Sequence, residues 1–408
     1  MLHDNQNLEK PDWVIVSTTV FLLVVGAAAV FSATHSANPS SGAVFTKHII
    51  RIGLGLILLG GTVLIPMRLI YNASYPLYIF TVILLIAVLF LGSGTGVKRW
   101  FVLGPFRFQP SEIAKIATLL ALAKYISTGE RRLTEIRSIA TVFLIVFIPM
   151  LLIVRQPDLG TALVFPAILL PALYWGGMSG FTIFLFVAPL ITLVAAFNLT
   201  AFFIVMAILV GAMAFSGRSI KVIIPNFLLN IAVGVITPLL WSQLHNYQKN
   251  RVLTFLGLIQ DPQGAGYQVL QSKVAIGSGH FWGKGFLEGT QTHLRFLPEQ
   301  HTDFIFSVIG EEFGFLGAML VLAAFFLLFS RSLKVAKEQK SEYASLICIG
   351  AVVILAFHVL INVGMTVGIM PVTGLPLPFL SYGGSSLLIS MILVGLVVNG
   401  ARRRFLYL

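Results

Sequence analysis

Apolar runs of about 20 residues, the length that crosses a bilayer core as a helix, recur from one end of this chain to the other. They fall at 14–33, 48–66, 76–91, 111–126, 138–154, 159–176, 179–197, 200–215, 222–240, 303–329, 344–367 and 385–401. Of 408 residues, 57% are hydrophobic and 10% charged, more apolar surface than a soluble fold of this size can cover. Inside a bilayer every backbone amide needs an internal partner, so the expected fold is an all-α polytopic membrane protein. The shortest runs can tilt, re-enter or merge, which gives 10–12 transmembrane helices. The start, "MLHDNQNLEKPDW", is polar and acidic and carries no cleavable signal, so 14–33 serves as both span and address.

Charge sets the orientation. The net charge of +12 could point to nucleic acid, but no basic cluster has interleaved aromatics, which leaves topology as its reading. With the amino terminus inside, the basic loops "GERRLTEIR", "SGRSIK" and "RSLKVAKEQK" and the tail "ARRRF" all fall on the inner side. Both termini are expected to be cytoplasmic. Lys47, Arg51, Lys98, Arg99, Arg107, Arg155, Lys249, Arg251, Lys273, Lys284 and Arg295 fall outside, spread through longer loops. An anionic ligand at the outer face would account for them. Cys348 is the one cysteine, so disulfides and Cys-ligated metals are excluded.

Three outer segments are too elaborate to be connectors: Gly92 to Glu112, a long loop over 241–302, and the uncharged Pro- and Gly-rich Gly368 to Ser386. In the long loop, "RVLTFLGLI" and "YQVLQSKVAI" read as short amphipathic helices at the interface.

Acids are scarce, and many cluster toward the outer half. In "QPSEIAKIATLL", Pro110 suits a helix entry, and Glu112 and Lys115, three apart, share one face. Such a pair inside a span is either a structural ion pair, or a contact to an anionic substrate in which Glu112 holds Lys115. "RQPDLGTALV" repeats the grammar, with Asp158 favoured as a cap. His301 lies between Glu299 and Asp303, yet no metal-binding spacing accompanies it, so no metal site is assigned. Asp303, Ser307 and Glu311 share a face and predict a polar seam between helices. Asp261 in "DPQGAGY" is good turn chemistry. Beside Arg251, Lys273, Lys284 and Arg295 it is also a candidate general base near cationic anchors for phosphate.

The ordered segments "KRWF", "FQPSEIAK", "QPDLGTAL", "DPQGAGYQVLQSKVAIGSG", "GKGFLEGTQTHLRFLPEQHTDFIFSVIGEE" and "GMTVGIMPVTGLPLPFLSYGGSSLL" resemble the SEDS family of RodA and FtsW proteins, the RodA branch most. The resemblance implies a peptidoglycan glycosyltransferase that polymerises lipid II into β-1,4-linked strands during cell elongation, with undecaprenyl pyrophosphate as leaving group. It places the work at the outer face of the bacterial inner membrane. The family's catalytic aspartate matches Asp261. Its cavity residues match Trp100, Glu112 and Lys115, with Arg51, Asp158 and Lys273 as further members of the substrate site. It implies a class B penicillin-binding protein as transpeptidase partner. A divalent cation could share the charge on the leaving group, although no motif demands one. A lipid II flippase and a non-catalytic scaffold for the transpeptidase are the competing readings. The family usually has ten spans, so the stretch 177–221 reads as an additional helical pair within a single membrane domain, 1–408.

Overall fold

The computed structural model describes residues 9–35, 42–93, 98–103, 106–128, 135–217, 220–243, 249, 265–293 and 299–406. Asp261, Arg251, Arg295 and the segment "RVLTFLGLI" lie outside them. The helices are α1 (Trp13–His35), α2 (Gly42–Leu64), α3 (Met67–Leu91), α4 (Pro110–Ser127), α5 (Ile136–Val154), α6 (Leu159–Trp175), α7 (Gly180–Ala195), α8 (Leu199–Phe215), α9 (Ile220–Gln243), α10 (Ala265–Ser278), the single turn α11 (Thr290–His293), α12 (Ile305–Glu338), α13 (Glu342–Thr366) and α14 (Gly384–Arg402). Each apolar run of the sequence corresponds to one of these helices. Among the described residues, eight are long and apolar enough to cross a membrane: α1, α2, α3, α5, α9, α12, α13 and α14. Helices α6, α7 and α8 are apolar but shorter, at 17, 16 and 17 residues, and α4 carries the Glu112–Lys115 pair. A small antiparallel hairpin, β1 (Phe101–Leu103) with β2 (Phe106–Phe108), interrupts the helical pattern.

The chain forms two compact units, 173–260 and the remainder. In the first of these, α7, α8 and α9 pack around Ala188, Met206 and Leu209, with Phe184, Phe202, Phe227 and Ile231 against them. Ser179 caps α7 and Asn198 caps α8 through side-chain oxygens on backbone amides. A polar seam ties α7 to α9. The Thr192 hydroxyl donates to Asn230 at 2.7 Å, and the Asn226 amide donates to the Leu185 carbonyl at 3.0 Å. Apolar side chains such as Val194, Leu199 and Phe203 stay exposed, as lipid-facing residues do.

In the larger unit, contacts between distant parts of the chain gather at two ends. At one end both termini meet: the Glu9 amide donates to the Arg402 carbonyl, Asp12 pairs with Arg331 at 2.7 Å, and Arg404 pairs with Glu338 at 2.8 Å and Glu9 at 2.5 Å. At the other end lie the hairpin, the start of α4, α10 and the segment 368–383. Helices α13 and α14 are nearly enclosed. So is α4, which packs against α3, α5, α13 and α14 and can carry polar residues because little of it faces lipid.

Helix α12 is broken at Gly314, whose φ of 64° lies in the left-handed region. A break frees carbonyls on one side and amides on the other, and both need partners in a dry setting. The loop 280–285 supplies all four. Lys284 and Gly285 amides donate to the Glu311 and Glu312 carbonyls, while the His280 and Phe281 carbonyls accept from Phe315 and Leu316. A Cβ at Gly314 would come 2.3 Å from the Gly283 nitrogen. Gly314→Ala should therefore destabilise the protein by about 1–3 kcal/mol, from backbone strain and overpacking together. Thermal unfolding in detergent measures it, and an unchanged midpoint contradicts the docking described.

Candidate functional site

The site builds from the start of α4. Residues 101–103 and 106–108 pair as the hairpin, and a bridge between Ser93 and Trp100 closes its base. Gln109, extended, then caps a helix whose first residue is Pro110. Arg99 donates to the carbonyls of Gln156 and Pro157, which pins the hairpin to the turn between α5 and α6. Trp100 stands half-buried at that base.

One turn into α4, the Lys115 ammonium donates to Glu112 at 2.9 Å and to His358 Nε2 at 3.1 Å. The side chains are 1% and 6% exposed, so this is a buried ion pair and not a surface one. His358 Nδ1 lies 2.8 Å from the Ile354 carbonyl. A carbonyl only accepts, so the proton sits on Nδ1 and leaves Nε2 as the acceptor that faces Lys115. Among the described residues, the second Glu112 oxygen and the Ser111 hydroxyl are buried without a partner. The pair is thus incompletely satisfied, and its spare acceptor is available to a ligand or water.

Asp158 takes the capping role. It accepts from the Thr161 amide at 3.3 Å and hydroxyl at 3.0 Å, and from Gln109 at 3.1 Å, which joins the start of α6 to the start of α4. Arg155 is exposed. Arg51 lies with its guanidinium 4.6 Å from the centre of the Tyr382 ring. Lys273 is exposed on α10, with its aliphatic end beside Gly368, where a Cβ would come 2.3 Å from Lys273 Cε. Arg51 and Lys273 therefore touch opposite ends of the segment 368–383, while Glu112 and Lys115 pair directly. Asp261 lies outside the described residues.

The predicted helix "YQVLQSKVAI" is α10, but it docks on α12 and α13 and is not a free interfacial helix. The Ser272 hydroxyl pairs with Ser307 at 2.6 Å and with the Thr366 carbonyl at 2.7 Å. The seam expected from Asp303, Ser307 and Glu311 divides its labour. Ser307 holds α10, and buried Glu311 accepts from Lys284 at 2.8 Å, the Gln291 amide at 2.8 Å, and the Thr292 amide and hydroxyl. Asp303 precedes the helix, and its backbone carbonyl accepts from Asn362 at 2.8 Å. Among the described residues, no group of three or more His, Cys, Asp or Glu is arranged to hold a metal ion.

Burial, with the Glu299 charge added, pushes the Asp303 carboxyl from 3.8 up to about 6. Burial lowers the His301 imidazole, against the opposite pull of Glu299. A raised carboxyl means the folded state holds the Asp303 proton more tightly than the unfolded chain. Its contribution to stability is then greatest below pH 3.8, falls as pH rises toward about 6, and is lost above that. Asp303→Asn should raise the unfolding midpoint at pH 7.5 and leave it unchanged near pH 4. An equal effect at both pH values contradicts the burial argument.

His358 is a member of the site that sequence reasoning did not single out. Its only signal is a lone histidine in the apolar run "AFHVLINVG". The contact to Lys115 spans 243 positions, which no local pattern reveals.

The chain matches the family model for FtsW, RodA and SpoVE, described as cell cycle protein, over residues 12–203 and 181–405. It belongs to that family. It is 36% identical over 401 residues to the peptidoglycan glycosyltransferase MrdB of Escherichia coli K12, covering 97% of this chain and 96% of that protein. It is 32% identical to the peptidoglycan glycosyltransferase RodA of Treponema pallidum, across 95% of this chain and 96% of that one. Among solved structures, a chain of a peptidoglycan synthase complex superposes with a TM-score of 0.73 at 32% identity, covering 97% of this chain and 98% of that chain. RodA of Thermus thermophilus superposes with a TM-score of 0.64 at 27% identity, covering 97% and 98%. The polytopic helical fold is therefore that of the FtsW/RodA/SpoVE proteins, and Glu112, Lys115 and His358 lie within the matched residues.

Proposed function

We propose that this chain is a peptidoglycan glycosyltransferase that polymerises lipid II. The observation that carries the reading is the 36% identity to MrdB along nearly the whole of both chains. The buried cation at Lys115 suits the chemistry, because the reaction releases a diphosphate and its developing charge needs a preorganised positive group.

In the proposed step the GlcNAc 4-hydroxyl of one lipid-linked saccharide attacks the anomeric MurNAc carbon of the other. Asp261 takes the hydroxyl proton, the new C–O bond forms with inversion, and the bond to the pyrophosphate breaks. Lys115 stabilises the leaving undecaprenyl pyrophosphate, and Glu112 and His358 hold Lys115 in place. Trp100, Arg51, Asp158 and Lys273 surround the lipid-linked substrates. A divalent cation could share the leaving-group charge. The basic inner loops support cytoplasmic termini and an outer-face site in the bacterial inner membrane. In this reading residues 241–302 form the extracytoplasmic loop and 177–221 the additional helical pair. The partner is a class B penicillin-binding protein.

Detergent solution separates this reading from transport, because it contains no second compartment. Purified protein given lipid II there should form glycan strands. A protein that forms none, yet moves lipid II across vesicles, is a flippase. One that does neither but stimulates a transpeptidase is a scaffold.

A further inference from the structure

We propose that Asn362 is a positioning residue for the transfer step. It is the middle of a polar stripe on α13 that holds α4, α10, the start of α12 and the segment 368–383 in one register. Its role in transfer rests on the glycosyltransferase reading; the register it holds does not.

The sequence "HVLINVGMT" places His358, Asn362 and Thr366 four residues apart, so they line one face of a helix. All three are buried on α13, among apolar neighbours. Polar groups are costly there unless bonded, and each of the three bonds to a different part of the chain. His358 Nε2 accepts from Lys115 on α4 at 3.1 Å. Asn362 donates to the Leu375 carbonyl in the segment 368–383 and to the Asp303 carbonyl just before α12, both at 2.8 Å. Carbonyls only accept, so the one amide nitrogen makes both bonds and the side chain has a fixed orientation. The Thr366 carbonyl lies in the last turn of α13, beyond the reach of helical donors, and accepts from Ser272 on α10 at 2.7 Å.

The segment 368–383 forms neither helix nor strand, so tertiary contacts alone set its shape. It bends at Gly374, with φ of 76°, and at Phe379, a side-chain-bearing residue with φ of 66°. Backbone of that kind persists only where its surroundings over-determine it. Glycines on two other helices let it pass: a Cβ at Gly160 would come 2.7 Å from the Thr373 oxygen, and one at Gly26 2.5 Å from the Phe379 oxygen. Those close approaches make room, while the Asn362 amide fixes the height of the segment along α13. Removing that amide strands two buried carbonyls and frees the segment and the start of α12 to shift relative to Lys115. A displacement of about 1 Å can cost about 10²-fold in rate, although no group that touches substrate is lost.

The test compares Asn362→Leu with Asn230→Leu in the full chain in detergent, each rate divided by the amount of folded protein. Asn230 is an equally buried asparagine whose side chain bonds Thr192 and Asn226, within α7 and α9. Asn362→Leu should lower kcat for strand synthesis by about 10²-fold with KM for lipid II within about twofold, and Asn230→Leu should change neither. Spin labels at Leu270→Cys on α10 and Leu91→Cys on α3, which packs on α4, read the register without activity. Both positions are exposed, and Cys348 is buried. The distance distribution should broaden in Asn362→Leu and match the parent in Asn230→Leu. If Asn362→Leu yields no folded protein, Ser272→Ala cuts the α10 tie alone and should lower kcat by about tenfold, with the distribution broadened. Wild-type kcat per folded molecule, an equal loss in Asn230→Leu, or a KM rise at unchanged kcat overturns the assignment. If the wild type makes no strands while the distances respond as stated, the glycosyltransferase reading fails and the register stands.

Discussion

Lys115→Met, with Glu112 left in place, should lose about 3–5 kcal/mol of stability, because it strands a buried carboxylate. Among the described residues one Glu112 oxygen already has no partner, so the variant leaves the charge without a counterpart there. His358 Nε2 would lose its donor as well. Strand synthesis should fall to background, but that alone says little, since an unstable protein is also an inactive one. The informative variant is Lys115→Met combined with Glu112→Gln, which removes both charges at nearly constant volume. Replacing a whole buried pair by neutral groups is often close to neutral for stability. The double variant should unfold near the wild-type midpoint and still make no glycan. Recovery of both stability and synthesis would reduce the pair to a packing device.

Asp261→Asn carries the largest expected effect on rate. A positioned general base contributes about 10²–10⁴-fold, and asparagine keeps the size and turn-forming ability of aspartate while losing the proton acceptor. Strand formation should drop by that factor with lipid II binding retained, since the role proposed for Asp261 is proton transfer and not diphosphate binding. A turn residue without catalytic work would tolerate the change. Near-wild-type turnover returns Asp261 to that simpler role.

The helices were largely legible, because an apolar run near bilayer length has few alternatives in water or in lipid. The start of α4 was legible too. Pro110 sets the entry, and the three-residue spacing brings Glu112 and Lys115 onto one face, where they pair at 2.9 Å. The capping reading of Asp158 matches its bonds to Thr161. What the sequence hid depends on distant partners. His358 reaches Lys115 from another helix, and the loop 280–285 finds its role only when α12 breaks at Gly314. A glycine in a membrane helix gives no local sign that it adopts positive φ. The pairing of 101–103 with 106–108 also escaped, since three-residue strands are too short for alternation to stand out.

Product stoichiometry tests the central proposal most directly. Purified protein, alone in detergent with lipid II, should release one undecaprenyl pyrophosphate for each disaccharide added to a strand. Lipid II recovered unchanged, from protein that is folded and binds it, contradicts a polymerase housed in this chain.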